Sequence, residues 1–419
     1  MFLARSEAGG LMSSARPTAV RDPLWDNIQL EPAAVAVIDT AVFQRLRQVR
    51  QLGHAFLVYP GATHTRFEHA LGAYHLTNRA LASLAERGDL DRVSDDERLA
   101  VRLAALLHDI GHYPFSHALE EAGFPNHEAL GAHRLNEGPL GELLRGVGGE
   151  SLISRIAAMI QGVSAAPLGG LISGSLDLDK IDYLSRDARM CGVPYGAVDV
   201  DRLMASLVLV PTGRGARQVG VHEKGISALE SLLFAKYQMY RNVYWHHAVR
   251  SATCMFKRAV RSTLGAGALT LNEIADATDG AMVALLESRD ATGLAAALRE
   301  RRLYKRALDL PASRVPENLP DWIWTDPERL AHTEDALAGE LGLPIGSVLI
   351  DYPERASMLQ VDLPLLTRGG TVERLTDAGR AGELGLPRIA DELYRSARRL
   401  RIFTAEPRQL DAIPDEILS

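Results

Sequence analysis

The strongest constraint on this chain is an apolar helical stripe that runs straight into a pair of metal-ligating side chains. Ser94-Asp-Asp-Glu97 has the form of a capping box, and Leu99, Leu103, Leu106 and Leu107 follow it at helical spacing. The stripe ends on His108-Asp109, with Ile110-Gly111-His112 behind it. A His-Asp pair at the end of an apolar helix puts an imidazole and a carboxylate at one point, and both are good ligands for divalent first-row metals. Gly111 is expected to end the helix and let the chain fold back closely over the site. A plainer reading of the dipeptide is a capped helix end.

Histidine usage favours the chemical reading. Of 13 histidines, nine lie between His54 and His133, far more than uniform scatter would place there. Histidine is the commonest metal ligand and the usual proton carrier near neutral pH. Arg66-Phe-Glu-His69 lies upstream, Pro114-Phe-Ser-His117 follows within one loop, and Asp177-Leu-Asp179-Lys180-Ile-Asp182-Tyr183 lies downstream. Asp179, Tyr183 and Asp187 fall at i, i+4 and i+8, one helix face, while Leu178, Ile181, Leu184 and Ala188 form an apolar stripe on the other. The alternative for that polar face is solvation.

The remaining pattern is mainly α, with a smaller mixed α+β C-terminal region. Phe67 to Glu86 reads as an amphipathic helix with Leu71, Leu76, Leu81 and Leu84 on its apolar side, and Leu229 through Val260 as one long helix or two in sequence. Strand signals are few before residue 205. Leu207–Val210 and Gln218–Val221, separated by Pro211-Thr-Gly-Arg-Gly215, look like a hairpin. After Tyr304 come prolines at 311, 316 and 320 and short apolar runs, Val348–Tyr352 and Met358–Leu363. The expected organisation is a flexible leader over 1–20, a helical core over 21–310 and an α+β region over 311–419 packed on that core. Arg5 and Arg16 would suit a transit peptide, but Glu7 and a weak apolar face oppose it, and no secretory core is present.

Composition excludes several classes. A hydrophobic fraction of 47% with 24% charged residues is that of a globular chain, and a net charge of −7 excludes a basic nucleic-acid coat. No apolar run approaches the roughly 20 residues of a membrane helix. Cys191 and Cys254 cannot build a disulfide framework, so a reducing cytoplasm is expected. Within this acidic chain, Lys236 to Arg261 holds six Lys/Arg, no Asp or Glu, and interleaved aromatics. That stretch reads as a solvated helix face, a phosphate-binding surface or, secondarily, a single-stranded nucleic-acid contact.

His69, His108-Asp109 and Asp179, taken in order, resemble the H…HD…D signature of the HD-domain phosphohydrolases. Asp22-Pro23, Ile38-Asp39-Thr40, Phe43-Gln44-Arg45-Leu46-Arg47, Gln51-Leu52-Gly53, Pro60-Gly61-Ala62 and Arg66-Phe67-Glu68-His69 are similar to the dNTP triphosphohydrolase branch. His108 to His117 and Asp177 to Asp187 continue the likeness, which extends over about residues 20–400.

The resemblance implies an HD-domain helical core and a metal held by His69, His108, Asp109 and Asp179, with positions left open. Manganese, iron, zinc and magnesium all fit mixed N/O ligation, and a further Mg would travel with the nucleotide. It implies that Arg66, Lys180 and Lys236 lie near the phosphates and that His112 contacts the α-phosphate. His117 would be the proton donor to the leaving oxygen, oriented by Glu120 and His127, with Glu120 standing where relatives often carry Asp. Gln51, Leu52, Tyr183, Asp187 and Tyr244 would wall the deoxyribose. Asp39, Gln44 and Arg47, with Arg301 and Lys305, match positions that bind an activator nucleotide, GTP or a dNTP, in a homotetramer. Departures from the pattern are Thr18, Asn242 and His54. His54, His64, His75 and His133 keep a structural reading. The implied activity is hydrolysis of a dNTP to deoxynucleoside and triphosphate. The alternatives are another HD-type hydrolysis, of an alarmone, a nucleoside monophosphate or single-stranded nucleic acid, and a nucleotide-sensing or nucleic-acid-binding protein.

Overall fold

The computed structural model describes residues 18–213, 216–354, 362–375 and 389–418. Helix α1, Arg66–Glu86, starts at Thr65, whose backbone N–H donates to the Glu68 carboxylate at 2.6 Å, closing a capping box. This start puts Arg66 and His69 one turn apart on the same helix, and Leu71, Leu76, Leu81 and Leu84 are buried. Helix α2 spans Asp95–Leu107. Only half of its expected capping box forms: the Ser94 hydroxyl accepts from Glu97 N–H at 3.2 Å, but the Glu97 carboxylate turns away to accept from Leu168 N–H at 3.1 Å. The side chain therefore ties α2 to a later loop instead of closing on its own N-terminus.

Helix α3 spans His127–Asn136 and α4 spans Gly138–Ile160, with non-helical backbone at Gly148 and Gly149. Helix α5, Leu178–Cys191, buries Leu178, Ile181, Leu184 and Ala188. Its polar N-terminal half faces α1 across a close contact that requires Gly72: a Cβ there would collide with the Asp182 carboxylate and the Arg186 guanidinium. The segment from Leu229 to Val260 forms two helices, α6, Ile226–Met239, and α7, His247–Gly265, joined by a π-helical turn over Tyr240–Tyr244. Such wide turns are frequent at functional sites.

Among the described residues, three sheets flank the helices. Strands β1, Thr18–Asp22, and β2, Asp26–Leu30, form an antiparallel hairpin, so residues 18–20 are strand and not leader. Residues 1–17 lie outside the described residues. This hairpin escapes a sequence reading because only Asp22, Ile28 and Leu30 of its ten residues are buried, too few to show alternation. Strands β3, Leu207–Pro211, and β4, Arg217–His222, are the expected hairpin, with Leu207 opposite Val221.

Strand β5, Lys305–Pro311, begins the third sheet, and α8, Pro327–Glu340, packs beside it. Strand β6, Val348–Asp351, matches one of the two short apolar runs, while most of Met358–Leu363 lies outside the described residues. Strands β7, Pro364–Leu366, and β8, Val372–Arg374, extend the sheet of β3 and β4 in the order β3-β4-β7-β8. Strand β9, Arg399–Thr404, sits between β5 and β6. The C-terminal strands thus complete two sheets begun earlier, and the division expected at 310/311 falls inside β5. The architecture is mainly α, with a smaller C-terminal region whose strands complete two of these sheets. Among the described residues no helix is long and apolar enough to cross a membrane.

Candidate active site

His69 from α1, His108 and Asp109 after α2, and Asp179 in the first turn of α5 converge on one point. His69 Nε2 lies 2.7 Å from Asp179 Oδ1, 3.2 Å from His108 Nε2 and 3.6 Å from Asp109 Oδ2. His108 Nε2 is 3.4 Å from both Asp109 Oδ1 and Asp179 Oδ1. The far nitrogens decide the tautomers. His69 Nδ1 faces Asp182 Oδ2 at 2.7 Å, and His108 Nδ1 faces the Ala105 carbonyl at 2.8 Å. Both Nδ1 atoms therefore carry their protons, and two Nε2 lone pairs turn toward each other and toward carboxylate oxygens. In that neutral form the two Nε2 lone pairs and Asp179 Oδ1 converge, with Asp109 beside them, an arrangement that fits a divalent cation.

The electrostatics agree. Burial would lower His69, but the bonds to Asp179 and Asp182 push it up to about 10, so without a cation the cluster holds a proton. Burial would raise Asp109 and Asp179. Arg66 and the histidines beside Asp109, and His108 and His69 beside Asp179, hold both carboxyls well below the usual range.

A second layer fixes these ligands. Asp182 accepts from His69, from Trp25 Nε1 at 2.5 Å, and from Arg186 Nε and Nη2, each at 2.9 Å. Arg186 also donates to Asp22 Oδ2 at 2.9 Å. Arg66 donates to Asp109 at 2.7 Å and to the Ser116 hydroxyl at 3.1 Å. Phe115 and Ser116 both adopt positive φ, 57° and 60°, a conformation that costs about 1–3 kcal/mol per residue and collects at functional loops. It is held by Asp279, which accepts from Phe115 N–H at 2.8 Å and Arg50 N–H at 3.1 Å, and by Ser116, which donates to the Arg50 carbonyl at 2.6 Å. Asp182 stood in a quoted motif without a role, and Arg186, Asp22 and Asp279 carried no role either. The periodicity of α5 puts Asp182 three residues after Asp179, which was the available signal.

Beyond Asp109 the loop gathers three imidazoles around one carboxylate. Glu120 Oε1 lies 3.0 Å from His127 Nδ1, 3.3 Å from His117 Nδ1 and 3.7 Å from His112 Nδ1. Burial opposes ionisation of Glu120, but His117 and His127 hold it far below the usual range. His112 stacks on His127 with ring centroids 3.8 Å apart and is neutral, driven well down by burial and Arg66. Gly111 does not end α2, which stops at Leu107. Its place is a close approach, because a Cβ there would strike the His127 carbonyl and the Gly131 backbone.

On the other side of the metal ligands, Tyr183 and Tyr244 meet edge to face at 6.4 Å, and Tyr244 donates to Asp187 Oδ2 at 2.7 Å. The other Asp187 oxygen is taken by His64 Nε2 at 2.8 Å, so His64 supports this wall. Gln51 and Leu52, Arg66, the His-Asp pair, the imidazole group, Asp179, Tyr183, Asp187 and Tyr244 all line one cavity of about 540 Å³. Lys180 and Lys236 stand outside that lining. Lys180 Nζ donates to Asp177 at 2.6 Å and to the Gly174 carbonyl at 2.8 Å. Burial and the neighbouring Lys180 bring Lys236 down to about 8.

Comparison with known proteins gives the lineage. A family model described as HD domain matches residues 66–187, and one described as HD associated region matches 198–381. A solved hypothetical protein from Aquifex aeolicus is 30% identical, with a TM-score of 0.72 over 93% of this chain and 97% of its own. This chain belongs to the HD-domain family. Its HD-domain relatives include uncharacterized protein MJ1154 of Methanocaldococcus jannaschii, 36% identical over 69% of this chain and 59% of that protein. They also include deoxynucleoside triphosphate triphosphohydrolase SAMHD1 of Bos taurus, 29% identical over 54% of this chain and 44% of that protein. The chain spans about half the length of the curated relatives it matches.

One expectation for this HD-domain chain changes with the tertiary structure. The basic stretch from Lys236 to Arg261 is not one solvated cationic face. Arg250 pairs with Glu121 and Asp351, Lys257 with Glu121, and Arg258 with Glu334 and Asp335. The residues that the resemblance matches to an activator site are placed as follows. Arg47 donates to Gln44 at 2.8 Å and lies over the Phe67 ring, near exposed Asp39, whereas Arg301 donates to the Leu57 carbonyl at 2.9 Å, with Lys305 exposed four residues on.

Proposed function

We propose that this HD-domain protein is a metal-dependent triphosphohydrolase that converts a dNTP and water into deoxynucleoside and triphosphate. The observation that carries the reading is one cavity lined by His108, Asp109 and Asp179 together with His112, His117 and His127 and with Tyr183, Asp187 and Tyr244, with His69 buried directly behind Asp179. The likeness to the deoxynucleoside triphosphate triphosphohydrolase SAMHD1 supports it. A divalent cation held by His69, His108, Asp109 and Asp179 would supply Lewis acidity toward a phosphoryl group.

The chain's own residues supply the rest. Asp109 and Ser116 hold the Arg66 guanidinium in a fixed place against the phosphates. Lys180 and Lys236 would add positive potential for the phosphates from outside the lining, and an arriving polyphosphate would offset the burial and the Lys180 repulsion that bring Lys236 down to about 8. His117 presents Nδ1 to the Glu120 carboxylate, so as an imidazolium it would give its Nε2 proton to the leaving 5′-oxygen and be left as the neutral Nδ1–H tautomer, while His127 shares the same carboxylate. His112, with Nε2 3.0 Å from Asp109 Oδ1, would turn toward the α-phosphate when the cation occupies Asp109. With both Asp187 oxygens engaged by His64 and Tyr244, the Tyr183–Asp187–Tyr244 wall is fixed in place and would pack against the deoxyribose, selecting against a 2′-hydroxyl. Gln51 and Leu52 form the opposite side. Asp39, Gln44, Arg47, Arg301 and Lys305 would meet across a subunit junction of a homotetramer to hold GTP or a dNTP as activator.

The test is direct. The purified chain is incubated with Mn²⁺ or Mg²⁺ and each dNTP or NTP, singly and mixed, and products are resolved by ion exchange. Inorganic triphosphate from dNTPs is expected, and His108→Ala should abolish it. Pyrophosphate or monophosphate products would refute the reading. Turnover confined to mixtures, with a nucleotide-dependent mass in light scattering, would establish the activator site.

A further inference from the structure

The loop that carries His112, His117, Glu120 and His127 has little regular structure of its own. It passes through two left-handed residues, Phe115 and Ser116, and two short turns, Ser116–Ala118 and Glu120–Ala122. Side chains from elsewhere must hold it. Asp279 ties its beginning. Its far side is tied by Arg250, from the first turn of α7.

The Arg250 guanidinium donates through Nη1 and Nη2 to the two Glu121 oxygens at 2.9 and 2.8 Å, a bidentate pair. The same side chain donates through Nη2 to Asp351 Oδ1 at 2.6 Å and through Nε to Asp351 Oδ2 at 3.1 Å. Asp351 is the last residue of β6 and is fully enclosed. One planar fork thus joins a strand of the C-terminal sheet to the turn that also carries Glu120. Opposite Asp351 on β9, Arg401 donates to the Trp245 carbonyl at 2.9 Å, just after the turn that presents Tyr244. A buried ion pair adds little net stability, because desolvation offsets its attraction and an apolar side chain of similar volume often does as well. What the fork adds is a fixed distance between β6 and the 120–122 turn.

We propose that Arg250 is a positioning residue through which the C-terminal sheet holds the Glu120–His117–His127 group in register with the metal ligands. The proposal rests on the hydrolase reading only for its kinetic consequence; the structural tie stands apart from it.

The experiment uses the full chain as Arg250→Met, Arg250→Lys and Asp351→Asn variants, with hydrogen exchange and steady-state kinetics read in parallel. In Arg250→Met, exchange at residues 116–127 should rise roughly tenfold or more while α1 and α2 keep their protection. The kcat for dNTP hydrolysis should fall roughly 10- to 100-fold, with KM changed less than about threefold, part of what a positioned acid contributes. Arg250→Lys, which keeps the charge and loses the fork, should fall between. Asp351→Asn should reproduce the local exchange and stands in should Arg250→Met not fold. Combined with Glu120→Gln, Arg250→Met should cost no additional kcat, because both act on one group. Losses that multiply, or exchange that rises uniformly across the helices, would overturn the proposal. If the wild type hydrolyses no nucleotide, the functional reading fails, and the exchange data still decide the tie.

Discussion

Replacing Asp182 with asparagine gives the sharpest test of the metal centre. The carboxylate is fully enclosed, and four donors meet its two oxygens: His69 Nδ1, Trp25 Nε1, and Arg186 Nε and Nη2. Burial would raise its pKa, but Arg186 and His69 hold it at about 2. Against an ordinary value near 3.8, that depression corresponds to about 2 kcal/mol favouring the folded state, at about 1.4 kcal/mol per unit. The contribution is present above pH ~4 and is lost as pH falls through about 2. Asparagine removes more than the charge. One oxygen becomes an NH₂, which must face either His69 and Arg186 Nε or Trp25 and Arg186 Nη2. In the second case, buried donors are left unmatched at about 1–3 kcal/mol each. In the first, His69 must accept at Nδ1 and move its proton to Nε2, which removes the lone pair aimed at the cation. The expected outcome is a stability loss of roughly 3–5 kcal/mol, as for breaking a buried pair, and a metal affinity lowered roughly 10- to 100-fold. Urea unfolding followed by circular dichroism and Mn²⁺ binding by chelator competition at pH 7.5 measure the two. Unchanged metal affinity in a destabilised variant would show that Asp182 is only a core ion pair, and wild-type values in both would refute the tautomer argument.

Two further outcomes follow from titration. Because His69 is pushed up to about 10 in the metal-free cluster, cation binding should release about one proton below that pH, and affinity should rise roughly tenfold per pH unit between 7 and 9. Calorimetry in buffers of different ionisation enthalpy reads the release, and pH-independent affinity would contradict it. Glu334 on α8 is raised by burial to about 7 although it accepts from Ile350 N–H at 2.8 Å, so its stabilising protonated form is complete below pH ~4.5 and lost as pH rises through about 7. Glu334→Gln keeps the acceptor and should raise the urea midpoint at pH 8 with no gain at pH 5; equal shifts at both would sink the assignment.

Local patterning pointed to His108-Asp109 at the end of an amphipathic helix and to Asp179 on the polar face of another, and the family resemblance joined His69 to them as a candidate ligand set. The supporting residues were harder to see for a physical reason. Asp279 meets Phe115 and Arg50 across more than 160 residues, and no local pattern encodes that contact. His64 looked structural, yet it holds one oxygen of Asp187. The β1–β2 hairpin buries too few side chains to alternate.

The basic stretch is the clearest case of a local pattern that misled. Lys236 to Arg261 contains no acid, so sequence suggests a cationic surface. Its partners Glu121, Asp351, Glu334 and Asp335 come from other elements, and folding pairs Arg250, Lys257 and Arg258 with them. By itself, the sequence determined a mainly helical chain and a candidate His/Asp cluster, since helical periodicity and short-range motifs are local quantities. Only the tertiary structure decided which charges remain for a ligand, which histidine tautomers face the centre, and what holds the 108–127 loop, because burial and long-range pairing set those.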